Sequence, residues 1–250
     1  MIQRALGILC VVVVVIILLP IAALSQSVTL QINNPPSNNV LDGIYVGSYT
    51  ATNVATGGTV QITCDDFRDD SDSKVTTYTT NTFSSLGSTL WGASLSAKTA
   101  TTLYDEAAWL TLTMLNQTGK QQGYYSYAIW AVFASGDVAK WLTSYQDSAA
   151  CNAVFGAGSW VGGTAGKGTC NVGTGGLIGL AASQTFTSGE FANVLILTPT
   201  CSGGPGTCPE QEFLEVVPEG GSAAVYLLLA GLVSLGAVFF GSRRTVRRPV

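Results

Sequence analysis

Histidine is absent from this chain, and charged residues make up only 10% of its 250 residues. Without histidine there is no His-containing catalytic triad, no His-ligated zinc site and no imidazole general base. The scarcity of charge, beside abundant Gly, Thr and Ser, is typical of an extracellular β-rich protein rather than a cytosolic helical enzyme. The acidic formal net charge of −4 argues against nucleic acid as a partner, because binding nucleic acid requires neutralising phosphates.

The first 25 residues have the three parts of a secretory signal peptide. Arg4 supplies the positive start, an apolar run extends to Leu19, and small residues precede Gln26. An uncleaved N-terminal anchor is the alternative, since the apolar stretch approaches the roughly 20 residues that span a bilayer. Pro20 and the polar residues after Ser25 favour cleavage. We therefore expect signal peptidase to remove residues 1–25.

The other end of the chain predicts a transmembrane helix over residues 222–241 and a basic cytoplasmic tail over 242–250. The apolar run from Ala223 to Phe240 is close in length to the bilayer's hydrocarbon core of about 30 Å. By the positive-inside rule, four arginines after the run place the tail in the cytoplasm and the domain outside. These arginines are Arg243, Arg244, Arg247 and Arg248. A buried core helix is the alternative, but a helix that is apolar on every face suits no protein surface.

The linker before this helix, residues 210–221, contains most of a recognisable motif. The motif consists of Val217, Pro218, Glu219, Gly220, Gly221 and Ser222. With the apolar helix and the basic tail, it resembles the VPEGGS variant of the PEP-CTERM sorting signal. The resemblance implies processing near the motif by an exosortase-type transpeptidase. Gly220 replaces the second proline of the usual Pro-Glu-Pro, which puts the identity of the processing enzyme in doubt.

Between the two ends, the sequence predicts one exported domain over residues 26–209. Alternating segments rich in Thr, Val and Tyr fill the region from Val28 to Tyr78 and predict short strands. The period becomes helical from about 101 to 150, residues 156–179 resemble a Gly-rich loop, and strand patterns return afterwards. We expect a mainly β, α+β fold: an antiparallel β-sandwich-like domain with a small helical subdomain.

Five cysteines follow the predicted cleavage site, and export favours disulfides over free thiols. Cys201 and Cys208 flank one short Gly-rich loop, and Cys151 and Cys170 bracket another. Pairing neighbours predicts these two disulfides and leaves Cys64 unpaired, although the sequence alone does not fix the connectivity. The cysteine spacing is not that of a zinc site.

Cys64 lies in the first of three short blocks that follow one another along the chain. Thr63-Cys64-Asp65-Asp66-Phe67 is followed by Tyr104-Asp105-Glu106-Ala107-Ala108-Trp109-Leu110 and by Ala128-Ile129-Trp130. This ordered set resembles a group of PEP-CTERM ectodomains and, more distantly, the thioester domain of bacterial surface adhesins. The second resemblance implies an internal thioester between a strand cysteine and the glutamine of a Gln-x-Ala-Ile-Trp block.

The position that matches the thioester glutamine is Ser126. A hydroxyl cannot supply the acyl carbon of a thioester, so we expect this thioester-like position to be inactive. A register shift that brings in Gln121 or Gln122 is one alternative. The simpler interpretation is that Cys64 packs as a small buried hydrophobic residue, with Trp109 and Trp130 in the core.

Two acidic features suggest further alternatives. The run from Asp65 to Asp72 could bind calcium, but it lacks the Gly and distal Glu of an EF-hand loop, so we interpret it as a solvated turn. Asp105 and Glu106 suggest a glycosidase acid pair, yet adjacent helical positions do not face each other. We therefore expect no catalytic, cofactor-binding or metal-binding residues, and no cofactor.

These observations favour a non-enzymatic protein of the cell envelope or extracellular matrix, with an adhesive or structural role. Before processing, it would cross the membrane once. The expected partners are the membrane, signal peptidase and an exosortase-type sorting enzyme, and an extracellular polysaccharide is a candidate ligand. The alternatives are a thioester-type covalent adhesin centred on Cys64 and a glycan-acting enzyme.

Overall fold

A computed structural model describes the central part of the chain. The described residues are 26–33, 40–69, 75–163, 167–201 and 204–217. The predicted signal peptide, transmembrane helix and basic tail therefore lie outside the described residues. Within the described ranges, none of the helices combines the length and hydropathy needed to cross a bilayer.

Strands lie at both ends of the described chain, with a small pair in the middle. In order, they are β1 (Gln26–Ile32), β2 (Val40–Leu41), β3 (Ile44–Tyr45), β4 (Ser48–Asn53), β5 (Thr59–Cys64), β6 (Val75–Asn81), β7 (Trp160–Gly162), β8 (Gly168–Cys170), β9 (Val194–Pro199) and β10 (Phe213–Val216). Six of them form a closed antiparallel barrel in the order β1-β4-β5-β10-β9-β6. The other four form two hairpin-like pairs, β2 with β3 and β7 with β8.

The strand-rich, mixed architecture agrees with the α+β prediction, but the expected two-sheet sandwich is instead a single closed barrel. Closure occurs because β1 pairs with β4 on one side and with β6 on the other. It brings the rings of Tyr49 and Tyr78, which lie on separate strands, within 6.0 and 5.8 Å of the Phe213 ring. These strands are not neighbours in the sheet, so the contacts cross the barrel interior, where Tyr78 and Phe213 are fully buried.

Helices fill most of the region between β6 and β9. They are α1 (Ala97–Met114), α2 (Lys120–Tyr145), α3 (Ser148–Phe155) and α4 (Gly176–Ala182). The side chain of Ser96 caps α1 by accepting from the Thr99 amide, and Asp147 caps α3 by accepting from the Ala150 amide. The last helix lies partly within the segment that we predicted to be a Gly-rich loop, because its glycines hide the apolar period of Leu177, Ile178 and Ala181.

The helix α2 packs against the barrel near strand β5. Buried residues of the barrel and of the helices therefore form one hydrophobic core. Its buried residues include Tyr127, Ile129 and Trp130, each at most 3% exposed. A kink at Ala134, with φ −134° and ψ 47°, divides this long helix. Beyond the kink, Asp137 accepts a 2.8 Å hydrogen bond from the Arg68 side chain, just after the end of β5. The segment that follows β5 is therefore held against the helical layer.

Candidate functional site

Cys64 is the last residue of strand β5 and is only 1% exposed. It is opposite Phe213 of β10 in the barrel ladder, and its thiol donates a 3.0 Å hydrogen bond to the Asp66 carbonyl. Burial, followed by the charges of Asp66 and Asp65, raises the pKa of the Cys64 thiol well above its ordinary value. A buried thiol that resists ionisation is a poor nucleophile.

Ser126 lies on the buried face of α2, and its hydroxyl is engaged in local structure. Its Oγ accepts a 2.7 Å hydrogen bond from the amide of Gly47 and lies 3.3 Å from the Gln122 carbonyl. The Ser126 side chain therefore links the segment before β4 to the helix α2 by a hydrogen bond. This is a packing role that requires no covalent chemistry.

The structure brings Cys64 together with the Ala-Ile-Trp block through Trp130. The Trp130 indole donates a 3.0 Å hydrogen bond to the Cys64 carbonyl. Gln121 and Gln122 lie in the first turn of α2, exposed and half-buried respectively. Trp109, expected in the core, is half-buried and packs against it.

A group of buried carboxyl groups beside Cys64 was not anticipated. Asp65, Asp66 and Glu212 are each 0% exposed, so our interpretation of the whole acidic run as a solvated turn is wrong for its first two residues. The Asp65 amide donates to the Glu212 carbonyl at 3.3 Å. No signal in the sequence separates these buried acids from exposed ones, because Asp65 and Glu212, which meet here, are more than 100 residues apart in the chain.

Glu212 organises this group by accepting three hydrogen bonds. The Leu90 amide and the Thr198 hydroxyl each donate at 2.6 Å, and the Tyr104 hydroxyl donates to the other carboxyl oxygen. Burial raises the pKa of Glu212, and burial followed by the Glu212 charge raises that of Asp65. The hydrogen bond from Tyr104 of α1 to Glu212 therefore links the barrel to this helix.

Asp66 belongs to the same group of buried carboxyl groups. Burial, with a contribution from neighbouring Asp69, raises the pKa of Asp66 to about 8. One of its carboxyl oxygens accepts a 2.9 Å hydrogen bond from the Arg68 amide. Among the described residues, no group of His, Cys, Asp and Glu is arranged to hold a metal ion. Asp70 and Asp72, the remainder of the considered calcium run, lie outside the described residues.

A cleft of about 640 Å³ lies on another part of the surface, between the end of β6, the helix α1 and the loop before β9. Asp105 of α1 and Glu190 of the loop both line this cleft, together with three phenylalanines: Phe83, Phe186 and Phe191. Burial, followed by the Glu190 charge, raises the pKa of Asp105. Glu106 is not among the described residues that line the cleft, so the partner that the structure brings to Asp105 is Glu190.

Two disulfides staple the described chain. Cys151 of α3 is bonded to Cys170 of β8, and Cys201 is bonded to Cys208 in the loop between β9 and β10. Both pairings are the ones expected from the sequence, and Cys64 is the free cysteine among the described residues. The first bridge ties the small β7–β8 sheet to the helical layer, and the second closes the loop that leads to Glu212.

In comparisons with protein-family models, curated proteins and solved structures, nothing matches this chain. The sorting-signal and thioester-domain resemblances therefore stay predictions that rest on the quoted motifs. Val217 is the last described residue. The rest of the sorting motif, Pro218 to Ser222, and the four arginines of the tail lie outside the described residues.

Proposed function

We propose that this chain is an exported protein of the cell envelope or extracellular matrix, processed at its C-terminal sorting signal and adhesive without forming covalent bonds. The single observation that carries the proposal is the pair of disulfides, Cys151–Cys170 and Cys201–Cys208. Disulfides persist in oxidising compartments outside the cytoplasm. They support the export that the N-terminal signal pattern predicts.

The barrel is compatible with the proposed cleavage site. Gln26 is the first described residue, and it already lies in strand β1, where it pairs with Thr80 of β6. Cleavage before Gln26 leaves every residue of this barrel strand in the mature protein. Signal peptidase is thus a partner that would not disrupt the fold.

The surroundings of Cys64 support non-covalent rather than covalent adhesion. The thiol is buried and bonded to a backbone carbonyl, and the hydroxyl of Ser126 is held by Gly47. Neither group carries the carboxamide that a thioester requires. The thioester-type covalent adhesin, centred on Cys64, is accordingly the weaker alternative.

A glycan-acting enzyme is a second candidate function, favoured by one observation. Asp105 and Glu190 line the same cleft, and two carboxyl groups that flank one sugar linkage are the usual machinery of glycoside hydrolysis. The raised pKa of Asp105 suits a general acid. Release of reducing ends from a polysaccharide panel, lost in an Asp105→Asn variant, would establish this activity in place of simple adhesion.

The main proposal is tested in cells that produce the chain with an intact exosortase-type sorting system. Wild-type protein should begin at Gln26, lose its C-terminal segment and promote cell aggregation. A variant with alanine at Pro218 and Glu219 should accumulate unprocessed and lose this aggregation. Aggregation that is equal with and without the chain would refute the adhesive role.

A Cys64→Ser variant serves as the matched control because it removes the thiol without touching the sorting motif. Non-covalent adhesion should survive this substitution, whereas a thioester adhesin would lose activity completely. Protein abundance at the surface is measured for each variant, so that loss of adhesion is not confused with loss of folding.

A further inference from the structure

The cleft beside α1 has an aromatic wall built on one anchored ring. Phe191 is 4% exposed, and the rings of Phe83 and Phe186 lie 5.8 and 5.4 Å from it, centroid to centroid. Phe83 and Phe186 are half-buried and line the cleft, so part of each residue is accessible there. Such a wall offers apolar contact to the CH faces of a ligand.

Two carboxyl groups share this cleft, and one of them is held in place. The Glu190 carboxylate accepts hydrogen bonds from the Thr187 amide at 2.9 Å and from the Thr187 hydroxyl at 3.2 Å, both at the same oxygen. Asp105 is half-buried on α1, and burial, followed by the Glu190 charge, raises the pKa of its carboxyl group. None of the described residues that line the cleft is Lys or Arg. A bound cation would relieve this like-charge repulsion.

Hydroxyl groups make up much of the remaining lining. Thr82, Ser84 and Thr101 line the cleft on one side, and Thr187 and Ser188 line it on the other. Thr82 and Ser84 are hydrogen-bonded to each other at 2.8 Å, and each hydroxyl oxygen has a second lone pair available. These groups suit a ligand that carries many hydroxyls of its own.

We propose that this cleft binds a polysaccharide with free amino sugars, through ammonium groups at Asp105 and Glu190 and through pyranose faces on Phe83 and Phe186. An amino sugar uses all three kinds of lining group, because it combines a cation, an apolar ring face and hydroxyls. A neutral glycan would leave both carboxyl groups without a counter-ion, and an acidic glycan would be repelled. A simple organic cation would leave the hydroxyls unused.

This inference names the ligand of the proposed adhesive role and so depends on that role for its biological meaning. Its test does not depend on export. The full chain is purified in detergent, and binding of a glucosamine pentamer is measured by calorimetry. The N-acetylglucosamine pentamer, which has the same rings without the charge, is the matched neutral ligand. An alkylammonium ion is the matched cation without sugar hydroxyls.

The glucosamine pentamer should bind at least about tenfold more tightly than either matched ligand, and added salt should weaken its binding. Asp105→Asn and Glu190→Gln should each weaken binding about tenfold or more, which is typical for loss of one charged hydrogen bond. Glu106→Gln removes the neighbouring acid, which is not among the described lining residues, and should leave binding unchanged. Glu190 is exposed, so its variant tests the site without disturbing the core.

Three results would overturn the proposal. The first is that the neutral pentamer binds as tightly as the glucosamine pentamer, and the second is that the alkylammonium ion does so. The third is that the glucosamine pentamer does not bind, or that its binding is unchanged by both cleft substitutions. Cleavage of the pentamer would replace simple binding with the enzymatic candidate. If binding fails while the chain still causes sorting-dependent aggregation in cells, the ligand assignment is wrong and the adhesive role stands.

Discussion

The indole Nε1 of Trp130 donates a 3.0 Å hydrogen bond to the backbone carbonyl of Cys64. This bond joins the helix α2 to the last residue of strand β5, and the Phe67 ring covers the same indole with centroids 5.3 Å apart. Trp130 and Phe67 thus pack beside the buried Cys64. These contacts hold the helix α2 against the barrel, and they leave Cys64 buried rather than in an exposed reactive centre.

The Cys64 thiol should therefore be unreactive in the folded protein. Burial limits access, and the raised pKa of the thiol keeps it protonated near neutral pH. We expect no covalent adduct with methylamine and slow alkylation by iodoacetamide that becomes fast in denaturant. Mass spectrometry of native and denatured samples measures both. A methylamine adduct at Gln121 or Gln122 that disappears in a Cys64→Ala variant would instead establish a thioester.

The buried carboxyl groups predict that the folded domain is more stable at mildly acidic pH than at mildly alkaline pH. Asp66 has a folded pKa of about 8, against about 3.9 in an unfolded chain. Between these values the folded state binds more protons than the unfolded state, so stability must fall as pH rises. Urea unfolding of residues 26–217 should give a lower free energy of unfolding at pH 8 than at pH 5. The slope for one group is at most about 1.4 kcal/mol per pH unit.

An Asp66→Asn variant provides the control for this pH dependence. The amide oxygen can still accept from the Arg68 amide, but the group no longer titrates. The free energy of unfolding should then change less steeply with pH than in the wild type. A wild-type stability that rises between pH 5 and pH 8 would contradict the prediction.

Removal of either disulfide should destabilise the domain. Loss of the bridge that closes the longer loop should lower the free energy of unfolding more. The bridges join residues separated by 19 positions for Cys151–Cys170 and 7 positions for Cys201–Cys208. In the chain-entropy model, their losses cost about 3 and about 2.5 kcal/mol respectively. Unfolding of the two paired Cys→Ala variants measures this order. A non-reducing peptide map that links Cys64 to any of these four residues would contradict the pairing.

The arginines of the tail should hold the chain in the membrane with its C-terminus inside. Replacing Arg243, Arg244, Arg247 and Arg248 with serine removes the positive-inside signal. We expect weaker membrane retention before processing, measured by fractionation and by protease access to a C-terminal tag. Unchanged retention and orientation would mean that these charges do not set the topology.

The disulfide pairing of four cysteines could be predicted from the sequence. Each pair flanks a short Gly-rich segment, and the structure contains both predicted bridges. Strand-rich regions around a helical centre were also predictable, because side-chain periodicity is a local property of the chain. The helical part nevertheless extends beyond the predicted insert to Ala182, since glycines in the last helix obscure its period.

Closure of the barrel, burial of the acids and formation of the cleft were decided by tertiary structure alone. The register of β1 against both β4 and β6 closes the sheet, and the folding of β10 beside β5 places Glu212 next to Asp65. Asp105 and Glu190 are likewise brought to one cleft from distant parts of the chain. Local sequence specifies the period and chemistry of each segment, whereas the position of one segment against another depends on long-range packing that no local pattern records.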